Sequence, residues 1–287
     1  MTAELQSISD SVSGRNTRLA QFIITIFGLY ARAEGNWLSV ASVVELMADL
    51  GVEGQAVRSS ISRLKRRGVL HSERRAGVAG YTLDAPTLQV LAEGDVRIFE
   101  RTRASVEDGW IVVVFNVPEA EREKRHALRS SLTRLGFGTA APGVWVAPGN
   151  LAAETRQTLE RRGLSAYVDI FAGHHFAYGD LAAKVRTWWD LVELTSLYED
   201  FLRRYRPILD RASAEGTTAR EAFQIYVPML TLWRRLPYRD PGLPLSLLPA
   251  GWNGMTAGAL FDELNEVLRP LAQEHALAVL HGERSAD

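Results

Sequence analysis

EGQAVRSSISRLKRRG, residues 53–68, sets Val57, Ile61 and Leu64 at i, i+4 and i+7, the spacing of one narrow apolar stripe on an α-helix. At about 100° per residue, Gln55, Arg58, Ser59, Ser62, Arg63 and Arg66 fan out on the opposite side, with Lys65 and Arg67 on the flanks. From Gly54 to Gly68 there are five cations, Arg58, Arg63, Lys65, Arg66 and Arg67, and no acid. A helix apolar behind and offering guanidiniums, serines and an amide in front suits an anionic partner rich in hydrogen-bonding groups. The DNA major groove is such a partner and is wide enough to admit a helix. A basic helical face is also a common solvated surface, so the flanking sequence has to decide.

Outward from that helix, Leu19, Phe22, Ile23, Ile26, Phe27 and Tyr30 keep a 3/4 spacing, which predicts a first helix from Thr17 to about Ala33, ended by Gly35. Residues 1 to about 14 are small and polar, a tail. Trp37 and Leu38 read as a short apolar link. Ser42 with Glu45 three residues on has the capping-box pattern and opens a second helix, which Gly51 ends. The turn GVEG then leads into residues 53–68, giving the spacing of a helix-turn-helix. After Gly68, VLHSERRAGVAGYTLDA reads as two strands around a Gly-Val-Ala-Gly turn with Arg74 and Arg75 at the tip. Three helices and a basic hairpin make a winged helix over residues 15–84.

Residues 85–108 read as a linker helix interrupted at Gly94. From Trp110 the period changes. IVVVFNVP is a buried strand closed by Pro118, residues 119–138 form a charged amphipathic helix, GVWVAP is a second strand, Leu151 to Gly163 a second helix and AYVDIFA a further strand. This order over residues 109–179 predicts a ferredoxin-like α+β domain. Residues 180–287 read as a helical C-terminal domain: a long helix from Leu181 broken at Pro207, a helix from Thr217 to about Leu236 kinked at Pro228, an irregular proline-rich stretch LPYRDPGLPLSLLPAGWNG, and a last helix from Thr256 to about Val279. The fold class is α+β.

Composition bounds the function. At 287 residues with 46% hydrophobic and 23% charged, the chain is an ordinary globular protein of two or three modest domains. No apolar run approaches the roughly 20 residues of a membrane span, and the N-terminus lacks a signal-peptide pattern; a cytoplasmic protein is expected. The absence of cysteine excludes disulfides, thiolate nucleophiles and Cys-type zinc sites. From Arg15 to Asp84 there are 10 basic against 6 acidic residues, net +4, leaving 23 against 28, net −5, elsewhere. Positive charge is thus concentrated where phosphates would be met. Arg58, Arg63 and Gln55 suit base edges, and Ser59, Ser62, Lys65, Arg66, Arg74 and Arg75 suit phosphates. One short helix reads few base pairs, so a homodimer on a palindromic operator of double-stranded DNA is expected. There is no nucleophile elbow, P-loop or dinucleotide fingerprint, no catalytic residue and no cofactor is assigned, and the protein is not expected to be an enzyme. His174 and His175 near Asp169 and Asp180 could be read as a metal cluster, but adjacent strand residues point to opposite faces; no metal site is expected.

Three stretches resemble one family, the PaaX-type repressors of aromatic-acid catabolism: FIITIFGLYAR with LMADLGVEGQAVRSSISRLKRRGVL, then WIVVVFNVPEAEREKRHALRSSLTRLGFGTAAPGVWVAP, then LPYRDPGLPLSLLPAGWNGMTAGALFDEL. Together, and in this order, they span almost the whole chain. The resemblance implies a dimeric transcriptional repressor released from DNA by an aryl-CoA thioester, typically phenylacetyl-CoA. Such an acyl-CoA effector needs cations for its phosphates and an apolar slot. Arg203, Tyr205, Trp233, Arg234, Arg235 and Tyr238 are the candidates, with Trp188, Trp189 and Trp252 as possible slot walls. The middle domain also looks like the small CRISPR adaptation nucleases, which makes a metal-dependent nuclease the alternative. Asn116 stands where that family's strand ends in a metal-binding Asp, and a neutral amide is a poor ligand for a hard divalent ion.

Overall fold

The computed structural model describes residues 14–100, 102–175 and 178–282. The tail expected at the N-terminus lies, up to residue 13, outside the described residues; Gly14 already opens a helix. The described fold is α+β, with ten α-helices and two antiparallel sheets. It divides into two compact units. The first takes the chain up to Val96, Arg203–Trp233 and the residues from Gly258 onward; the second takes Arg97–Leu202 and Arg234–Ala257. The residues read from sequence as one C-terminal helical domain are therefore shared between both units. No helix of the described residues is long and apolar enough to cross a membrane.

In the first unit α1 (Gly14–Ile26) runs into a π-turn at Phe27–Ala31, followed by β1 (Trp37–Ser39), α2 (Val40–Asp49), α3 (Gly54–Arg66), β2 (Leu70–Arg75), β3 (Val78–Leu83) and α4 (Ala85–Phe99). Its sheet has the order β1-β3-β2. The link expected at Trp37–Leu38 is thus a third strand, paired through Leu38↔Tyr81; three residues are too few to show alternation. The cap of α2 is Ser39, whose Oγ accepts from Ser42 N at 2.9 Å, three residues before the expected cap. The hairpin turn is Ala76–Gly77, both at positive φ (46° and 81°), the pair of left-handed residues that a two-residue hairpin turn demands, rather than the Gly-Val-Ala-Gly read from sequence. Gly94 does not interrupt α4: it is buried within it.

The apolar stripe of α3 is buried as the spacing predicts, Val57 at 0%, Ile61 at 2% and Leu64 at 1% exposure. It meets α1 and α2, whose Ile23, Ile26, Val43, Leu46 and Met47 are buried as well. Of the C-terminal helices, α9 (Ala219–Trp233) packs along α1. Thr25 Oγ1 and Thr231 Oγ1, both buried, lie 2.8 Å apart, and each also reaches a carbonyl of its own helix, Gln21 O at 2.9 Å and Val227 O at 2.7 Å. Helix α10 (Gly254–His281) adds Leu260, Phe261, Leu264 and Leu268 to this core.

The second unit contains β4 (Trp110–Phe115), α5 (Arg122–Leu135), β5 (Gly138–Ala141), β6 (Val144–Pro148), α6 (Ala152–Arg161), β7 (Val168–Gly173) and α7 (Leu181–Trp188). Its sheet order is β5-β6-β4-β7, antiparallel throughout. One face of β4, Ile111 and Val113, is buried with Leu132 and Leu135 of α5 and with Trp145 and Ala147 of β6. Val112 and Val114 lie on the opposite face, Val112 in register with Phe171 of β7. Strand β5 was not read from sequence, because Gly138-Thr139-Ala140-Ala141 carries neither branched residues nor alternation.

The helical run from Leu181 breaks at Trp189–Asp190, not at Pro207. Asp190 Oδ1 accepts from Glu193 N at 2.9 Å and so caps α8 (Leu191–Glu215), which carries Pro207 inside it. A helix of this length absorbs the one bond that proline removes. Pro228 likewise lies inside α9. At the start of α9, Thr218 and Glu221 form a reciprocal cap. The Thr218 backbone N–H and then its hydroxyl, donating to Glu221 Oε2 at 3.0 and 2.7 Å, hold the Glu221 carboxyl below the usual range.

Candidate nucleic-acid interface

Helix α3 has no acidic residue in its first turn and carries Arg63, Lys65 and Arg66 in its last. The helix dipole favours cations there, so those three have a structural reason to be present. Arg58 has none of that kind. Gln55, Arg58, Ser59, Ser62, Lys65 and Arg66 are all exposed, and Arg63 and Arg67 are half-buried. A Cβ on Gly54 would lie 3.4 Å from Arg58 Nη1, which places that guanidinium over the first turn of the helix. Lys65 Nζ lies 5.7 Å from the centroid of the Tyr81 ring on β3. The helix and the hairpin behind it thus share one cationic edge.

At the hairpin tip the two arginines differ. Arg74 is exposed and donates across its own turn, Nη1 to Gly77 O at 3.1 Å. Arg75 is held from three sides: Nε donates to Glu73 Oε1 at 2.7 Å, Nη2 donates to Gly35 O at 3.0 Å, and the guanidinium sits 5.6 Å from the Trp37 ring centroid. Two of its five N–H donors thus go to bracing the hairpin. Gly80 makes that brace possible, since a Cβ there would stand 2.3 Å from Trp37 Cε2 and 2.5 Å from Leu38 O. The sequence signal for it was a glycine inside a strand.

The six residues considered for an effector are divided between the two units. Arg203, Tyr205 and Trp233 belong to the first unit and Arg234, Arg235 and Tyr238 to the second. Tyr205 is 2% exposed and Trp233, 7% exposed, stacks on Phe261 at 4.5 Å. Burial lowers the Arg234 pKa to about 10. Tyr238 lies under the Arg97 guanidinium at 5.0 Å. Arg203 and Arg235 are exposed. Two of the tryptophans considered as slot walls, Trp188 and Trp189, line a groove of about 610 Å³ in the second unit, together with Leu191, Val192, Pro249 and Arg186.

His174, His175, Asp169 and Asp180 are not assembled into a metal centre: among the described residues no group of three or more His, Asp or Glu is placed to hold an ion. His175 packs edge-on to Trp188 at 6.1 Å, and Asp180 caps α7 through Ala182 N at 2.9 Å. Asn116 follows β4, its N–H donating to Tyr167 O at 3.2 Å.

Compared with known families, residues 18–86 match the profile described as PaaX-like protein, residues 103–185 the PaaX protein central Cas2-like domain, and residues 189–278 the PaaX-like protein C-terminal domain. The chain belongs to the PaaX family. The transcriptional repressor PaaX of Escherichia coli (strain K12) is 25% identical over 255 residues, which are 87% of this chain and 80% of that protein. Among solved structures, the uncharacterized protein Rv0674 from Mycobacterium tuberculosis is similar in fold, with a TM-score of 0.54 and 24% identity over 88% of this chain and 95% of that one.

The proline-rich segment within this chain's PaaX C-terminal match is built around Asp240, which periodicity gave no means of finding. Asp240 is 1% exposed. Its Oδ2 accepts from Tyr198 Oη at 2.8 Å and lies 3.5 Å from Arg103 Nη2, and its Oδ1 accepts from Gly242 N at 2.8 Å. Arg103 also donates to Leu243 O at 2.7 Å, and Ala104 N donates to Gly242 O at 2.8 Å. One carboxylate thus ties residues 103–104 and the start of α8 to the irregular stretch.

Proposed function

We propose that this chain is a DNA-binding transcriptional repressor whose α1, α2 and α3 with the β2–β3 hairpin act as a winged helix. The observation that carries the reading is α3, a helix buried along Val57, Ile61 and Leu64 with Gln55, Arg58, Ser59, Ser62, Lys65 and Arg66 outward and no carboxylate among them. The E. coli relative of that name points the same way. Gln55 and Arg58 serve base edges; Ser59, Ser62, Lys65, Arg66 and Arg74 serve phosphates; Arg63, half-buried, reaches the duplex at the helix flank; Arg75 braces the wing. The β-α-β-β-α-β succession with order β5-β6-β4-β7 supports a ferredoxin-like middle domain. It would form the scaffold of a homodimer on a palindromic site.

The test is a gel shift on the DNA upstream of the chain's own gene, titrated against salt. Arg58→Ala should cost about 1 to 3 kcal/mol and relax one base position, whereas Arg66→Ala should weaken all sequences alike and reduce the salt slope by about 1. An unmodified chain that gives no shift, or an Arg58→Ala chain that binds like it, removes the reading.

We further propose an aryl-CoA effector, by the family resemblance. The groove beside Trp188 and Trp189 falls within the roughly 300 to 1,000 Å³ of small-ligand sites and is the better slot for the aryl group than the buried Tyr205 and Trp233. Arg235, exposed and in the same unit as the groove, is the candidate for the phosphates. Phenylacetyl-CoA should then release the retarded DNA, and Trp188→Ala should need about tenfold more of it. Equal release curves for the two proteins remove the slot.

A further inference from the structure

We infer that Asp49 is a positioning residue for DNA reading: it fixes the end of α2, and with it the outward residues of α3, onto the C-terminal helices of the same unit. The inference rests on the DNA reading proposed above. Asp49 is the last residue of α2, and the turn that follows it opens α3 at Gly54. A carboxylate in the last turn of a helix works against that helix's dipole, so a reason for it has to come from elsewhere.

Three side chains from two distant helices converge on this one residue. Asp49 Oδ1 accepts from Arg220 Nε at 3.0 Å and stands 2.8 Å from Arg220 Nη2. Its Oδ2 is 2.8 Å from His275 Nε2. Its backbone carbonyl, one of the groups that a helix end leaves unpaired, accepts from Gln224 Nε2 at 2.9 Å. Arg220 and Gln224 come from α9 and His275 from α10, 171, 175 and 226 residues along the chain. The Asp49 side chain is 10% exposed and that of His275 7%, while Arg220 is 59% exposed.

The turn itself is tight, with Gly51 N donating to Ala48 O at 2.8 Å and Val52 N to Met47 O at 3.0 Å. An anchor at Asp49 is therefore passed on to the first turn of α3 with little slack. Base readout requires donors to be held within about 0.5 Å of their productive positions, whereas attraction to phosphates tolerates far more. Loosening the anchor should therefore lower affinity for the specific duplex and leave affinity for an arbitrary one unchanged.

The experiment compares two labelled duplexes of equal length, the region upstream of the chain's own gene and a scrambled version of it, with full-length Asp49→Asn, Arg220→Ala, Arg220→Lys and Arg58→Ala. Arg220→Ala removes an exposed side chain, so its melting temperature should stay within about 2 °C. Arg220→Ala and Asp49→Asn should each lower the preference for the upstream duplex by about 3- to 30-fold, and Arg220→Lys, which keeps the charge but not the two-nitrogen grip on Oδ1, should lower it less than Arg220→Ala does. If both proteins keep the full preference while Arg58→Ala loses it, Asp49 has no part in reading and the inference falls alone. If the unmodified chain does not tell the duplexes apart, the DNA reading falls and takes this inference with it.

Discussion

Asp240→Ala should lower stability by about 3 to 5 kcal/mol, the cost of breaking a buried charged pair by removing one partner. Its neighbours do the damage. Tyr198 Oη loses its acceptor in a site where the ring is 1% exposed, Arg103 keeps its charge with less to balance it, and the Gly242 amide is left facing a hole. At about 2 to 4 °C per kcal/mol for a chain of this size class, thermal unfolding followed by circular dichroism should move down by roughly 10 °C. Asp240→Asn retains an acceptor for Tyr198 and should lose less. A melting temperature for Asp240→Ala within about 2 °C of the unmodified chain would show that the proline-rich stretch is held by its apolar contacts instead.

Gly80→Val is the second large effect. Its Cβ would meet Leu38 O at 2.5 Å as well as the Trp37 ring, and a backbone oxygen within the same sheet has nowhere to move. Overpacking of this kind costs about 1 to 3 kcal/mol and at times more. Trp37 is the softer partner, so it should be expelled, and Arg75 would lose the ring it sits on. Three readouts should change together: melting temperature, tryptophan emission, and affinity for the upstream duplex. Gly80→Val with unchanged emission and unchanged binding would mean that the strands simply slide apart to make room.

The sequence showed what is periodic and local, and missed what is short or distant. Helix α3 was legible because an isolated amphipathic helix writes its buried stripe and its outward cations into thirteen consecutive residues. The family resemblance was legible for the same reason, in contiguous motifs. Which cations are available was not. Arg58 and Arg75 look alike in sequence, yet Arg75 is committed to Glu73, Gly35 and Trp37, two of them some forty residues away. Strands β1 and β5 are three and four residues long and exist only because a partner strand completes them. Pro207 was read as a break because proline removes a bond; Asp190 ended the run first by offering a cap. The anchoring of Asp49 was not legible, because its partners lie 171 to 226 residues away, beyond any window a pattern can span.

The two facing threonines of α1 and α9 carry a lesson opposite to that of Asp240. Thr25 and Thr231 between them own two hydroxyl hydrogens and present three short oxygen–oxygen approaches, so at any instant one approach is idle. Either residue can therefore give up its hydroxyl and leave the survivor still donating to its own helix. A bridge enclosed in the core is here one that the fold can spare.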